Sequence, residues 1–153
     1  GSFFTAYLAP DQYHRVHMPV DGQLIQMIYV PGRLFSVNPQ TVRGLPGLFT
    51  RNERVVCIFK TPIGLMAMVF VGAMIVASIH TQWHGVVSPS SARTVSRWDY
   101  SDQHIQIKRG EEVGHFQMGS TVILLFEKDR AVWNETLHVG ALLKMGVEVG
   151  LKK

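Results

Sequence analysis

Ile63-Gly64-Leu65-Met66-Ala67-Met68-Val69-Phe70-Val71-Gly72-Ala73-Met74-Ile75-Val76-Ala77-Ser78-Ile79 is the longest apolar stretch in the chain, and whether it reads as helix or strand decides the fold. Its length approaches the ~20 residues that a membrane-spanning helix needs. Two features argue against a span. Gly64 and Gly72 divide the run into two short segments rich in β-branched residues. Polar residues also crowd both ends, Lys60 and Thr61 before it and His80 and Thr81 after. A short apolar run cut by glycine and bounded by polar residues predicts two buried strands.

The flanking sequence follows the same pattern of short strands between Gly, Pro and Asn. Gly1 to Leu8 reads as the middle of a strand, and Gln23 to Val30 as a strand that ends at Pro31-Gly32. Arg54 to Phe59 is stopped before Pro62. Ile105-Gln106-Ile107 alternates and leads into the charged Lys108 to Glu112, and Val122 to Phe126 is an apolar strand just after Gly119-Ser120-Thr121. Residues 88–91, with Pro89, read as a loop. Helices are few and short, the best candidate being a turn that begins at Pro10-Asp11. There is no repeat, low-complexity tract or linker. The expectation is a mainly β fold, an antiparallel β-sandwich or a distorted barrel with few short helices, built as a single domain over residues 1–153.

Composition narrows the function classes. A hydrophobic fraction of 46% and a charged fraction of 17% describe a globular chain. A net charge of +4 and an isoelectric point near 9.5 suit an anionic partner, nucleic acid or an anionic lipid surface. The single cysteine, Cys57, excludes an internal disulfide and a multi-cysteine zinc site, and its apolar neighbours predict a buried structural thiol. No signal peptide is visible. The opening without Met, in the middle of a strand, reads as a fragment of a longer protein whose amino-terminal part is missing.

Two segments carry candidate chemistry. In Tyr13-His14-Arg15-Val16-His17-Met18-Pro19, two of the seven histidines lie three apart beside an arginine. His-x-x-His can be half of a metal site, but no Cys or acidic cluster completes one, so no metal is expected. The alternatives are polar residues satisfied at a strand entrance, and acid–base work by imidazoles that titrate near neutral pH. In Gly114-His115-Phe116-Gln117-Met118-Gly119-Ser120-Thr121, a Gly-Ser pair precedes a strand. Such a pair is usually a turn. It can also be a self-processing bond, because a glycine tolerates strained backbone angles and close approach of the neighbouring hydroxyl.

Taken together and in order, these segments resemble the bacterial-type phosphatidylserine decarboxylases from about Phe4 to Phe126. The resemblance is carried by Tyr7-Leu8-Ala9-Pro10, the Tyr13 to Pro19 block, Tyr29-Val30-Pro31-Gly32, Leu34-Phe35-Ser36-Val37-Asn38 and Leu48-Phe49-Thr50-Arg51-Asn52-Glu53-Arg54. It continues through Val71-Gly72-Ala73, Gly110 to Gly114 and Met118-Gly119-Ser120-Thr121-Val122-Ile123. After Lys128 the match is loose.

The resemblance implies a catalytic domain that cleaves itself between Gly119 and Ser120, where Met118 stands for the family's leucine. The products would be a long chain, 1–119, and a short chain, 120–153. Ser120 would attack the Gly119 carbonyl, and elimination and hydrolysis would leave a pyruvoyl cofactor at the start of the short chain. That group would form a Schiff base with the substrate amine and take up the electrons left when carbon dioxide departs. His17 matches the family's base for self-cleavage in a Ser-His-Asp arrangement, and His14 the acid that protonates the carbanion. The family's aspartate belongs to a Pro-Ala-Asp-Gly motif upstream of the point where this sequence begins. Asp11 and Asp21 match other positions. Arg15 would either face the lipid phosphate or pair structurally. His80, His84, His104, His115 and His138 carry no motif and are expected to be structural or solvated, and Trp83, Trp98 and Trp133 to pack in the core or against lipid.

The resulting expectation is conversion of phosphatidylserine to phosphatidylethanolamine at an anionic membrane surface. The protein would be peripheral on the inner membrane if bacterial, with no nucleic-acid partner; a homodimer is compatible with this reading. The competing readings are a pyruvoyl decarboxylase of a soluble amino acid, and a basic β-barrel binding nucleic acid. The first should lack the His14 to Asn38 block. The second should show aromatics interleaved with Lys and Arg on one sheet, whereas the basic residues here are scattered.

Overall fold

Alternation of buried and half-buried side chains builds the strands. A computed structural model describes residues 1–74, 78–88, 90, 92–117 and 120–153. In chain order the strands are β1 (Ser2–Leu8), β2 (Arg15–His17), β3 (Gly22–Val30), β4 (Arg54–Thr61), β5 (Gly64–Val71), β6 (Ile79–Thr81) and β7 (Gly85–Ser88). They continue with β8 (Ser96–Asp99), β9 (Gln106–Ile107), β10 (Glu112–Phe116), β11 (Ser120–Phe126), β12 (Ala131–Trp133) and β13 (Gly150–Lys152).

The large antiparallel sheet has the order β1-β11-β5-β4-β3-β8, with β9 also paired to β3; the smaller sheet has the order β2-β10-β6-β7. A separate ribbon joins β12 and β13. One core lies between the two main sheets. It takes Leu24, Met27, Val55, Phe59, Met68 and Phe70 from the large sheet, and Val16, Ile79, Val113 and Phe116 from the small one. Phe70 and Phe116 meet across it with ring centroids 5.4 Å apart. A bulge between Leu24 and Gln26 shifts the alternation in β3. The extra residue lets both Leu24 and Met27 point inward, three positions apart.

The sandwich is the architecture found; the sheets do not close into a barrel. Of the two strands expected in the 63–79 run, the first is β5, where Met66, Met68 and Phe70 face the core and Leu65 is exposed. Ile79 opens β6, which runs past the end of the apolar stretch, and residues 75–77 lie outside the described residues. In the expected loop at 88–91, Ser88 ends β7, while Pro89 and Ser91 lie outside the described residues. Cys57 is fully buried, and burial pushes its thiol pKa up, as suits a structural thiol.

Pro10-Asp11 forms a turn, closed by a hydrogen bond from Gln12 N to Ala9 O (2.9 Å), and no helix starts there. The helices are α1 (Pro39–Gly44) and α2 (Leu48–Arg51). Asn38 caps α1 by accepting from Thr41 N, and Pro39 has the fixed φ that suits a first helical turn. These helices cover part of the outer face of the large sheet. There Val37, Leu48, Val71 and Ala73 form a second apolar cluster with Val69 and Ile123 packed on it.

Candidate active site

Strand register brings Ser120 and His14 toward one end of the sandwich, while His17 lies further along β2. Ser120 is the first residue of β11 and pairs with Leu8 at the end of β1. It shares the inward face of β11 with Val122, Leu124 and Phe126, so its side chain points between the sheets. Ser120 is fully buried, and among the described residues its Oγ has no hydrogen-bond partner. Met118 and Gly119, the residues before the expected scissile bond and its carbonyl side, lie outside the described residues.

His14 stands at the same end on the small sheet. Its carbonyl accepts from Phe116 N (3.0 Å), which fixes it beside the last residue of β10, and its Nε2 is buried without a partner. Among the described residues, Ser120 Oγ and His14 Nε2 are two of five buried polar atoms without partners, with Thr121 Oγ1 next to Ser120. A buried polar group without a partner costs about 1–3 kcal/mol, so such a pair marks a site rather than a stabilising contact.

His17 lies three residues further along β2, opposite Glu112. Its Nδ1 is 2.8 Å from the Gly110 carbonyl, which can only accept, so Nδ1 carries the proton. Its Nε2 is hydrogen-bonded to the Tyr13 hydroxyl at 2.7 Å, and the two rings stack with centroids 5.8 Å apart. Among the described residues no hydrogen bond joins Ser120 to either histidine. His17 is therefore held between the Gly110 carbonyl and the Tyr13 hydroxyl.

Arg15 Nη1 donates to Glu112 Oε2 at 2.6 Å, which gives the arginine a carboxylate partner. Glu112 also binds His115 Nδ1 at 3.1 Å. Burial pushes the Glu112 carboxyl up, but hydrogen bonds from Arg15 and His115, the Arg15 charge and Gln82 together hold it below the usual range. His115 stacks on His80 with centroids 4.5 Å apart. Burial first, then the neighbouring His115, lowers the His80 pKa, against an opposing pull from Glu112.

Sequence reading had no role for Tyr13, Gly110 or Glu112. Tyr13 sits in the same motif as His17, four residues before it, and could have been suspected. Gly110 lies 93 residues away from His17 and Glu112 lies 97 from Arg15, distances that no local pattern spans. Gly114 needs its missing side chain, since a Cβ there would collide with the His80 carbonyl across the β10–β6 pair.

The family model for phosphatidylserine decarboxylase matches residues 1–151. A phosphatidylserine decarboxylase proenzyme of Coxiella burnetii is 55% identical over 150 residues, covering 98% of this chain and 53% of the relative. The proenzyme of Dechloromonas aromatica is 49% identical over 150 residues, with the same coverage of both chains. That of Acidovorax ebreus is 59% identical over 128 residues, 84% of this chain and 45% of the relative. The chain spans about half the length of the curated relatives it matches. With a family match along nearly its whole length, the chain belongs to the phosphatidylserine decarboxylase family.

Proposed function

We propose that this chain supplies the catalytic core of an enzyme that removes the carboxyl group of phosphatidylserine, after self-cleavage between Gly119 and Ser120. The observation that carries the reading is the buried Ser120 Oγ, at the family's processing position and without a hydrogen-bond partner among the described residues. An oxygen that holds nothing in place can be consumed without loosening the sheet, so the site fits a pyruvoyl group made from this serine. Such a group supplies a carbonyl electron sink for a substrate amine that loses carbon dioxide.

The chain's own residues have separable tasks. His17 Nδ1 is tied to the Gly110 carbonyl, so Nε2, once released by Tyr13, would be the atom that takes the serine proton. His14, with Nε2 buried beside the end of β10, would serve as the acid that returns a proton once the carboxyl group has left. Pairing with Leu8 on β1 holds Ser120, and Thr121 beside it is paired on both sides, with Tyr7 and Val71.

The test is the intact mass and activity of the full-length protein. Wild type should split between Gly119 and Ser120, with an amino terminus on the short chain that resists Edman sequencing. Ser120→Ala should stay as one chain and show no decarboxylation. A cut elsewhere, or activity that survives this change, would overturn the assignment.

A further inference from the structure

Three arginines converge on a cleft of 850 Å³ at the Ser120 end of the sandwich: Arg33 after β3, Arg51 at the end of α2 and Arg93 after β7. Among the described residues, none of the three has a carboxylate partner; the ion pairs there are those of Glu112 with Arg15 and His115. Arg51 is held over the Phe35 ring, 5.2 Å from its centroid. Glu53 also lines the cleft, and its carboxylate accepts from the Ser88 hydroxyl and from Tyr29 OH (3.0 Å). Tyr29, pushed up to about 12 by burial and by Glu53, stays protonated and keeps donating. Three guanidiniums against one carboxylate leave the cleft strongly cationic.

Backbone pairing connects this cleft to Ser120. Thr121 pairs with Val71, so the next step of the register sets Ser120 opposite Gly72. Gly72 N donates to Glu53 O (2.9 Å) and Glu53 N to Arg33 O (2.8 Å). Three inter-strand steps of about 4.8 Å put the Arg33 backbone about 14 Å from that of Ser120. A serine phospholipid has its phosphorus four bonds from its amine, about 5 Å by ordinary bond lengths. Extended arginine side chains span most of the remainder.

We infer that Arg33, Arg51 and Arg93 form the binding site for the phosphodiester of the lipid head group, while its amine reaches the Ser120 position. The inference rests on the decarboxylase reading above. Chemistry selects the phosphate over the carboxylate as the anion held there. A guanidinium on the carboxylate would stabilise the charge that decarboxylation must disperse, and so would favour the ground state over the transition state. The phosphodiester keeps its charge throughout, and the planar guanidinium fork matches its oxygens. Arg15, already paired with Glu112, is not needed for this task.

The experiment uses the full-length Ser120→Ala precursor, so that binding is read apart from turnover. Dihexanoyl phosphatidylserine and inorganic phosphate are titrated separately by calorimetry. Arg33→Gln, Arg51→Gln and Arg93→Gln should each weaken lipid binding about tenfold or more, the effect of losing a charge-assisted hydrogen bond. Arg97→Gln, an equal charge change on β8 away from the cleft, should leave it unchanged. Arginine-to-lysine variants, which keep the charge without the fork, should fall between, and unchanged thermal unfolding would show that the variants are folded. In the maturing background the glutamine variants should raise KM with kcat kept. Binding in the three variants equal to that of Arg97→Gln overturns the site while leaving decarboxylation intact. Inorganic phosphate binding as tightly as the lipid, with the same arginine dependence, overturns the lipid assignment. If the wild-type protein neither matures nor decarboxylates, the functional reading falls, and lipid binding by the precursor decides the site by itself.

Discussion

At the scale of single residues, His14 and His17 share a motif and differ in surroundings. His17 has both nitrogens engaged, by Gly110 and Tyr13, while His14 Nε2 is buried and has no partner among the described residues. That difference argues for two tasks. His17→Ala in the full-length protein should block maturation. His14→Ala should still permit cutting and lower turnover by about 10²–10⁴-fold, the range for a general acid. Separation of cut and uncut chains, with an assay for released carbon dioxide, checks both; normal maturation of both variants would remove the division. Asn52 shows the opposite use of polarity. It is fully buried, donates to Phe35 O (2.8 Å) and Gly72 O (2.9 Å), and accepts from Phe35 N (3.1 Å). Asn52→Ala should destabilise the fold by about 2–4 kcal/mol, because it strands buried backbone groups that cost about 1–3 kcal/mol each. Denaturant unfolding measures it, and a loss below about 1 kcal/mol would mean the groups find other partners.

At the scale of elements, the small sheet carries an acid-sensitive cluster. His80 on β6 stacks against His115 on β10, and Glu112 on β10 holds Arg15 on β2. The His80 pKa is lowered in the fold from an ordinary 6.5, so its contribution is complete above that value and is lost as pH falls below it. The Glu112 carboxyl is lowered from an ordinary 4.5, so its contribution holds above 4.5 and is lost as pH falls through the folded-state value. Stability should therefore decline in that order on acidification. His80→Gln should flatten the urea midpoint between about pH 7 and about pH 5 while leaving the later loss in place. An unchanged profile in that variant would assign the first loss to another group.

At the scale of the whole molecule, the proposed lipid substrate raises the question of membrane contact. Among the described residues no helix is long and apolar enough to cross a membrane. The 63–79 run, the one stretch of span-like length, contributes β5 and the start of β6. A net charge of +4 favours an anionic surface, with each basic residue near it worth about 1 kcal/mol. This chain should float with vesicles containing phosphatidylserine at low salt and be released at high salt, where the attraction is screened. Retention through both salt and alkaline carbonate washes would mean insertion, and would require a different structure for residues 63–79.

The sequence by itself determined the strand-rich class, the buried thiol of Cys57, the family and the two motifs, because each is written in local pattern or in ordered short blocks. Pro10-Asp11 misled because its turn chemistry does not continue into a helix, whereas the Asn38-Pro39 pair, a helix start at the end of a family block, passed unread. The choice of open sandwich over barrel needed the tertiary structure, since closure depends on which edges meet and not on any one strand. So did the partners of His17 and Arg15, whose contacts join residues 93 and 97 positions apart. The arginine cleft is the extreme case. Arg33, Arg51 and Arg93 share no motif or spacing, and only the tertiary structure puts them on one cleft at the end of the sandwich that holds Ser120.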